Sequence, residues 1–217
     1  MPQLRIDFVS DVSCPWCAVG LKSLQAALAR VAPDITPEIH FQPFELNPDL
    51  PARGVDFNTH MAGRYDLKAI AQSQEALSAR GEALGFHFDF DKRGHIYNTF
   101  DAHRLLHWAG TQGQAPGKQL ELKLALLQAY FSDGRNIADH EVLAEVAASV
   151  GLDAARAREV LQSGAFATEV RERERYFTTL GIHAVPSVIF NGRHLVQGGQ
   201  PPEAFEQVLR QLAAQGA

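Results

Sequence analysis

Cysteine is scarce in this chain, with two in 217 residues. So low a count excludes a small fold stapled by several disulfides. Long apolar runs are missing as well, since no segment reaches the roughly 20 residues needed to span a bilayer. The stretch Met1 to Asp11 lacks the apolar core and small-residue cleavage site of a secretory signal. The expected location is therefore cytoplasmic, with no membrane partner. Basic charge is not in excess: 20 Lys and Arg stand against 25 Asp and Glu, a net charge of −5, with no long basic run, so nucleic acid is not an expected partner. There is no internal repeat, low-complexity tract or flexible linker. What remains is a globular chain, 46% hydrophobic, long enough for one large domain or two small ones.

Both cysteines fall in one motif, Cys14-Pro15-Trp16-Cys17. The apolar run Leu4 to Val9 before it reads as a buried strand, and Val19, Leu21, Leu24, Leu28 and Val31 after it recur at helical spacing. The motif thus sits where a strand turns into a helix. Unpaired N–H groups at a helix start carry partial positive charge and favour a thiolate held there, which makes Cys14 the expected nucleophile. Pro15 suits the first turn because its missing N–H costs nothing there. Cys17 lies about one turn further on, within reach of a mixed disulfide on Cys14. Two other meanings stand beside the redox one. A zinc site needs about four ligands, and none of the nine histidines pairs with the motif at finger spacing. Two inert buried cysteines would also satisfy the pattern, although a reducing compartment and a strand-turn-helix setting favour redox chemistry.

Pro33 and Pro37 bracket a turn, and Glu38 to Phe44 alternates as a second strand, parallel to the first through a right-handed crossover. From Asp56 to about Gly181 strand signals nearly vanish. Asn58 to Leu84 is helix-compatible, Phe86 to Phe90 is a short aromatic extended piece, and Tyr97 to Ala109 is helical. Gln119 to Phe131 places Leu120, Leu124, Leu127 and Phe131 on one face. Helices follow over Asp139 to Val150 and Asp153 to Ser163, each capped by its first Asp, and over Phe166 to Leu180. Ser187 to Phe190 and His194 to Gln197 then form a hairpin around the two-residue turn Asn191-Gly192, and Glu203 to Ala214 is a closing amphipathic helix. The expected division is a first unit of residues 1–55 and 181–217, interrupted by a helical insertion, 56–180.

Ser13-Cys14-Pro15-Trp16-Cys17 with Gly20, Pro43-Phe44-Glu45-Leu46-Asn47-Pro48, and the run from Gly181 through Val185-Pro186 to Phe190 together resemble the FrnE-like branch of the DsbA-family oxidoreductases. That branch is related to 2-hydroxychromene-2-carboxylate isomerases and kappa-class glutathione transferases. The resemblance spans essentially the whole chain. It implies an α/β thioredoxin fold with a large all-helical insertion, DsbA-like. By the same resemblance Pro186 is the cis-proline facing the active-site pair, and Val185 the residue whose backbone pairs with an extended substrate. Pro186 joins Cys14 and Cys17 as a catalytic candidate, and Pro15, Trp16, Phe44, Asn47 and Val185 are the substrate-binding candidates. Phe44 and Asn47 follow a strand at the end where parallel α/β folds place ligands.

The expected activity is thiol–disulfide exchange on a protein or small-molecule substrate, with an external reductant or oxidant, because the chain holds no second cysteine pair. No resident cofactor or metal is expected. Glutathione is a candidate co-substrate, and association into a homodimer is left open. The main alternative is a glutathione-dependent isomerase or transferase, in whose relatives the attacking cysteine is commonly serine; this chain departs from that by keeping both cysteines. A redox-dependent chaperone or binding module is a further alternative. His103 and His107, four apart on a helix near Asp101, could bind metal but equally line a groove or the surface. Asp11 could tune the motif or simply end the strand, and the alternating run Arg171 to Arg175 reads as a solvated helix face.

Overall fold

The structure is a computed structural model that describes residues 3–32, 35–51, 53–62, 66–111 and 115–215. In chain order, β1 (Gln3–Ser10) leads into α1 (Pro15–Val31) and β2 (Thr36–Pro43). A middle section holds β3 (Val55–Asp56), α2 (Phe57–Ala62), α3 (Leu67–Ala83), β4 (His95–Ile96), α4 (Phe100–Ala109), α5 (Lys118–Phe131), α6 (His140–Ser149), α7 (Ala154–Ser163) and α8 (Ala167–Thr179). The chain closes with β5 (Ser187–Phe190), β6 (His194–Gln197) and α9 (Pro202–Ala214).

The main sheet has the order β2-β1-β5-β6, with β1 parallel to β2 and antiparallel to β5. Alternation along β1 divides its side chains between two cores. Ile6 and Phe8 join the large cluster shared with α1 and α9, while Val9 packs with Phe177 and Ile182 beneath α8. The large cluster also takes in Leu105, Leu122, Phe131 and Leu143, so the buried apolar surface is continuous from the sheet into the middle helices. Continuity of this kind holds the loops at the end of β1 against α4 and α5.

Asp139 and Asp153 cap α6 and α7 through side-chain bonds to backbone N–H groups, as expected. Several details differ from the sequence expectation. Pro37 lies inside β2, opposite Leu4, instead of in a turn; an edge strand tolerates a residue with no N–H. Pro33 lies outside the described residues. The segment Asn58 to Leu84 holds two helices, the second capped by Asp66. Phe86, Phe88 and Phe90 join no ladder; they pack as rings with Phe131, at centroid distances of 4.8 to 6.4 Å. The residue pairs of β3 and β4 form a ladder too short for any periodic signal. On α5 the fully buried stripe runs through Leu122, Lys123, Leu126, Leu127 and Tyr130, with Leu120 and Leu124 only partly buried. The β5–β6 register pairs Phe190 with His194, so the loop has three residues, Asn191 to Arg193, with Asn191 and Gly192 at positive φ.

Candidate active site

Ser10 ends β1, and Asp11 to Ser13 turn the chain into α1. Cys14 is the N-cap residue, at φ −93° and ψ 113°, with Pro15 at the first helical position. Its carbonyl accepts a hydrogen bond from the Cys17 N–H at 3.1 Å, which fixes the turn that brings the second cysteine beneath the first. Both cysteines are buried, Cys17 completely and Cys14 with 4% of its surface exposed. The Cys14 sulfur lies 3.8 Å from the Val185 carbonyl oxygen, and the Val185–Pro186 peptide is cis. Pro186 is held from both sides. Its carbonyl accepts from Gly198 N–H at 2.8 Å, and its ring lies against Gly20, where an added Cβ would meet Pro186 Cγ at 3.0 Å.

The chain matches the family description of a DsbA-like thioredoxin domain over residues 5–210. It belongs to the DsbA-like thioredoxin family. A solved structure of a probable DsbA oxidoreductase from Streptomyces coelicolor is 33% identical, superposes with a TM-score of 0.83, and is matched over 96% of this chain and 89% of that one. The uncharacterized protein YwbO of Bacillus subtilis is 26% identical over 207 residues, covering 95% of this chain and 96% of that protein. A 2-hydroxychromene-2-carboxylate isomerase, 16% identical with a TM-score of 0.71 over 97% of both chains, shares the fold. The resemblance to the FrnE-like branch stands with these matches.

Around the DsbA-like cysteine pair the structure gathers residues from α1 and α3 and from the loops after β2, before β5 and after β6. Trp16 is gripped between the Arg80 guanidinium, 5.1 Å from its ring centroid, and Gly199, whose carbonyl accepts from Arg80 at 2.6 Å. A side chain on Gly199 would meet the indole at 2.9 Å. Val185 is half-buried above Cys14, outside the β5 ladder, which begins at Ser187. Asn47 and Pro15 line a cavity of about 390 Å³ beside the motif. Phe44 is placed differently: its ring packs into the small core with Val9 and Phe177, and its carbonyl accepts from His103.

Beneath the motif lies a buried charge cluster. Asp11 is fully enclosed; one carboxylate oxygen accepts from Leu46 N–H at 2.8 Å and Ser13 Oγ at 3.0 Å, the other from Ser13 N–H at 3.3 Å. His103 Nε2 stands 3.4 Å from that second oxygen and 3.1 Å from the Phe44 carbonyl. A carbonyl accepts only, so Nε2 carries the hydrogen. Burial alone would raise the Asp11 pKa, but His103, the Leu46 N–H and Lys123 together hold it below the ordinary carboxylate value. Lys123 on α5 is fully buried, and among the described residues its Nζ has no hydrogen-bond partner. Burial pushes its pKa down, opposed by Cys17, Asp11 and Cys14. Cys17 is pushed well up, by burial first and then by its bond to Cys14 and the charge there, with Lys123 acting the other way.

Sequence reasoning missed Lys123, Arg80 and Arg93 and left Asp11 and His103 undecided. Lys123 carried a usable signal, since it stands at helical spacing from Leu126, Leu127 and Tyr130. Arg80, Arg93 and His103 meet the site only through tertiary packing. The run Arg171 to Arg175 is not wholly solvated either. Arg171 lies 3.8 Å over the Phe100 ring and pairs with Glu45 and Glu174, because the loop after β2 turns Glu45 inward beneath α8. His107 stands against the Phe166 ring at 5.3 Å, away from the contacts that hold His103.

Proposed function

We propose that this DsbA-like protein is a thiol–disulfide oxidoreductase in which Cys14 attacks and Cys17 resolves. The observation that carries the reading is the asymmetry of the pair: Cys14 caps the helix against the Val185 carbonyl, whereas Cys17 is sealed one turn inside, its thiol form favoured by burial. A Cys14 thiolate attacks one sulfur of a substrate disulfide, forming a mixed disulfide and expelling a thiolate. Cys17 then gives up its proton and attacks the Cys14 sulfur, expelling the second thiolate. The substrate gains two electrons and the protein becomes the Cys14–Cys17 disulfide. A thiol reductant, with glutathione the proposed co-substrate, reverses the change.

Lys123 and Asp11 serve this cycle from below. The lysine charge is placed where Cys17 must become negative, and Asp11 balances that charge when both sulfurs are neutral. Pro186, with no N–H, faces the sulfurs without a competing donor, and the Val185 backbone is left outside the sheet for an extended substrate. Trp16 covers the pair from the Arg80 side. Residues 1–55 and 181–217 thus carry the thiols and 56–180 supply the walls, and the proposed setting is the cytoplasm.

Equilibration in glutathione redox buffers, followed by Trp16 fluorescence, tests the proposal. A single two-electron transition is expected, and Cys14→Ser and Cys17→Ser should each abolish it. Absence of reversible thiol loss in the unaltered protein refutes disulfide exchange. A parallel assay with glutathione and an electrophile separates the transferase chemistry.

A further inference from the structure

The cavity beside the motif, about 390 Å³, includes in its wall Ser13 and Pro15, the two residues flanking Cys14. Leu46, Phe57, Ile70 and Leu77 make most of that wall apolar. Polar groups interrupt it at Asn47, His60, Ser73, Gln74 and Tyr130, and the one Arg or Lys among the lining residues is Arg93, only 8% of whose surface is exposed. Its guanidinium lies 4.1 Å from the Phe57 ring centroid, 4.9 Å from Phe90 and 5.6 Å from Phe131. Among the described residues no carboxylate pairs with it, and its Nε has no hydrogen-bond partner.

Aromatic faces replace part of the hydration a cation loses on burial, yet they accept none of the five N–H bonds a guanidinium offers. Arg104 shows the contrast within the same chain. It is equally enclosed, at 3% exposure, but reaches Asp101 and the carbonyls of Val160, Leu161 and Ala165. Arg93 is the enclosed cation whose fork is left open toward a cavity. A planar fork matches a carboxylate with two parallel bonds. A volume near the lower end of ligand pockets suits a small organic molecule and not a folded protein segment.

We propose that this cavity binds a small disulfide or thiol with an apolar body and one carboxylate, Arg93 taking the carboxylate while the sulfur lies beside Cys14. The proposal rests on the disulfide-exchange reading and names its substrate class. Cys14 thiolate attacks the near sulfur of the bound disulfide, the S–S bond breaks, and the distal half leaves as a thiolate that takes a proton from solvent. Cys17 then displaces the bound half from Cys14, so that one disulfide becomes two thiols and the protein dithiol becomes a disulfide. Two molecules of glutathione restore the dithiol and leave as oxidised glutathione.

The test compares two aryl disulfides on the reduced full-length chain by stopped flow, dithiobis(nitrobenzoate), which carries carboxylates, and dithiodipyridine, which does not. Arg93→Met is expected to slow the first by about tenfold or more and to leave the second within about twofold. An equal slowing of both, or of neither, overturns the proposal. Should Arg93→Met fail to fold, the unaltered protein still decides it. Phenylbutyrate is expected to protect Cys14 saturably from iodoacetamide, and phenylbutanol at the same concentration is not. Equal protection by the two, or none, refutes carboxylate recognition. Selective protection with no reversible thiol loss in glutathione buffers would overturn disulfide exchange while leaving the binding site in place.

Discussion

Replacing Asp11 by asparagine keeps the shape of the side chain, removes its charge and turns one acceptor into a donor. The best orientation for asparagine keeps its oxygen toward Leu46 N–H and Ser13 Oγ. Its NH2 then faces the Ser13 N–H and the His103 Nε2 hydrogen, both of which are donors. The Ser13 N–H loses its acceptor, while the His103 hydrogen keeps the Phe44 carbonyl, so the expected loss is about 1 to 3 kcal/mol. That is a large part of the roughly 5 to 15 kcal/mol that holds a domain together. Urea unfolding at pH 7 measures it, with Cys14 and Cys17 kept reduced. The sign of the pH dependence supplies a second check. Asp11 titrates below its ordinary value of 3.8, so its contribution is present above that value and lost as pH falls through the folded-state value. The difference between the two proteins should therefore narrow below about pH 4. A loss under about 1 kcal/mol, or a difference that does not narrow in acid, would refute the account of Asp11 as the acceptor joining the two loops.

Gly20→Ala gains about 1 kcal/mol of helix propensity in α1 but forces Pro186 Cγ back from a 3.0 Å approach, at about 1 to 3 kcal/mol. Thermal melts should show no net gain and thiol exchange should slow; a full 1 kcal/mol gain with an unchanged rate contradicts the contact. Glu45 is raised to about 7, by burial first and by Glu174 and Asp11, against the lowering effect of Arg171. Its contribution is fully present below the ordinary value of 4.5 and is lost as pH rises through about 7. After discounting for screening of the half-exposed Arg171, unfolding free energy should fall by about 1 to 2 kcal/mol across that window, and Glu45→Gln should flatten the profile. Lys123→Met removes the cation that opposes the upward push on Cys17, so the mixed disulfide on Cys14 should persist several-fold longer at pH 7. Quenched alkylation and mass measurement follow that lifetime, and an unchanged lifetime removes Lys123 from the resolving step.

The cysteine pair, the strand before it and the helix after it were legible because each rests on local chemistry: an apolar strand, a proline at the first helical position, an apolar stripe. Asp139 and Asp153 were legible as caps for the same reason. The facing of Pro186 and Cys14 was legible only through family resemblance, since 171 positions separate Cys14 from Val185 and no periodicity spans that distance. The charges beneath and beside the pair were obscured by a general rule. Lysine and arginine are read as surface residues, and Lys123 and Arg93, both buried, break that reading. Lys123 shows the limit most clearly. Its spacing puts it on the buried stripe of α5, but a face read from apolar residues alone runs through Leu120, Leu124, Leu127 and Phe131 and passes over a lysine.

A fully enclosed ammonium with no hydrogen-bond partner is expensive, and a methionine would fill the same space without that cost. Its setting supplies the compensation in two parts. Asp11 provides a permanent opposite charge, itself saturated by Leu46, Ser13 and His103, so that the pair is not a bare dipole in oil. In the proposed cycle the sulfurs provide a second opposite charge, present only while one of them is a thiolate. A cation fixed beforehand at the place where negative charge develops needs no reorganisation when Cys17 ionises, which is where electrostatic stabilisation acts most strongly. Because Lys123 belongs to α5 and Asp11 to the end of β1, this balance exists only when the helical section is docked on the sheet. Under the proposed mechanism α5 is thus a chemical part of the dithiol site and not only its wall. A fold that kept the cysteine motif and Pro186 but lost α5 would leave Cys17 both buried and without the opposing cation.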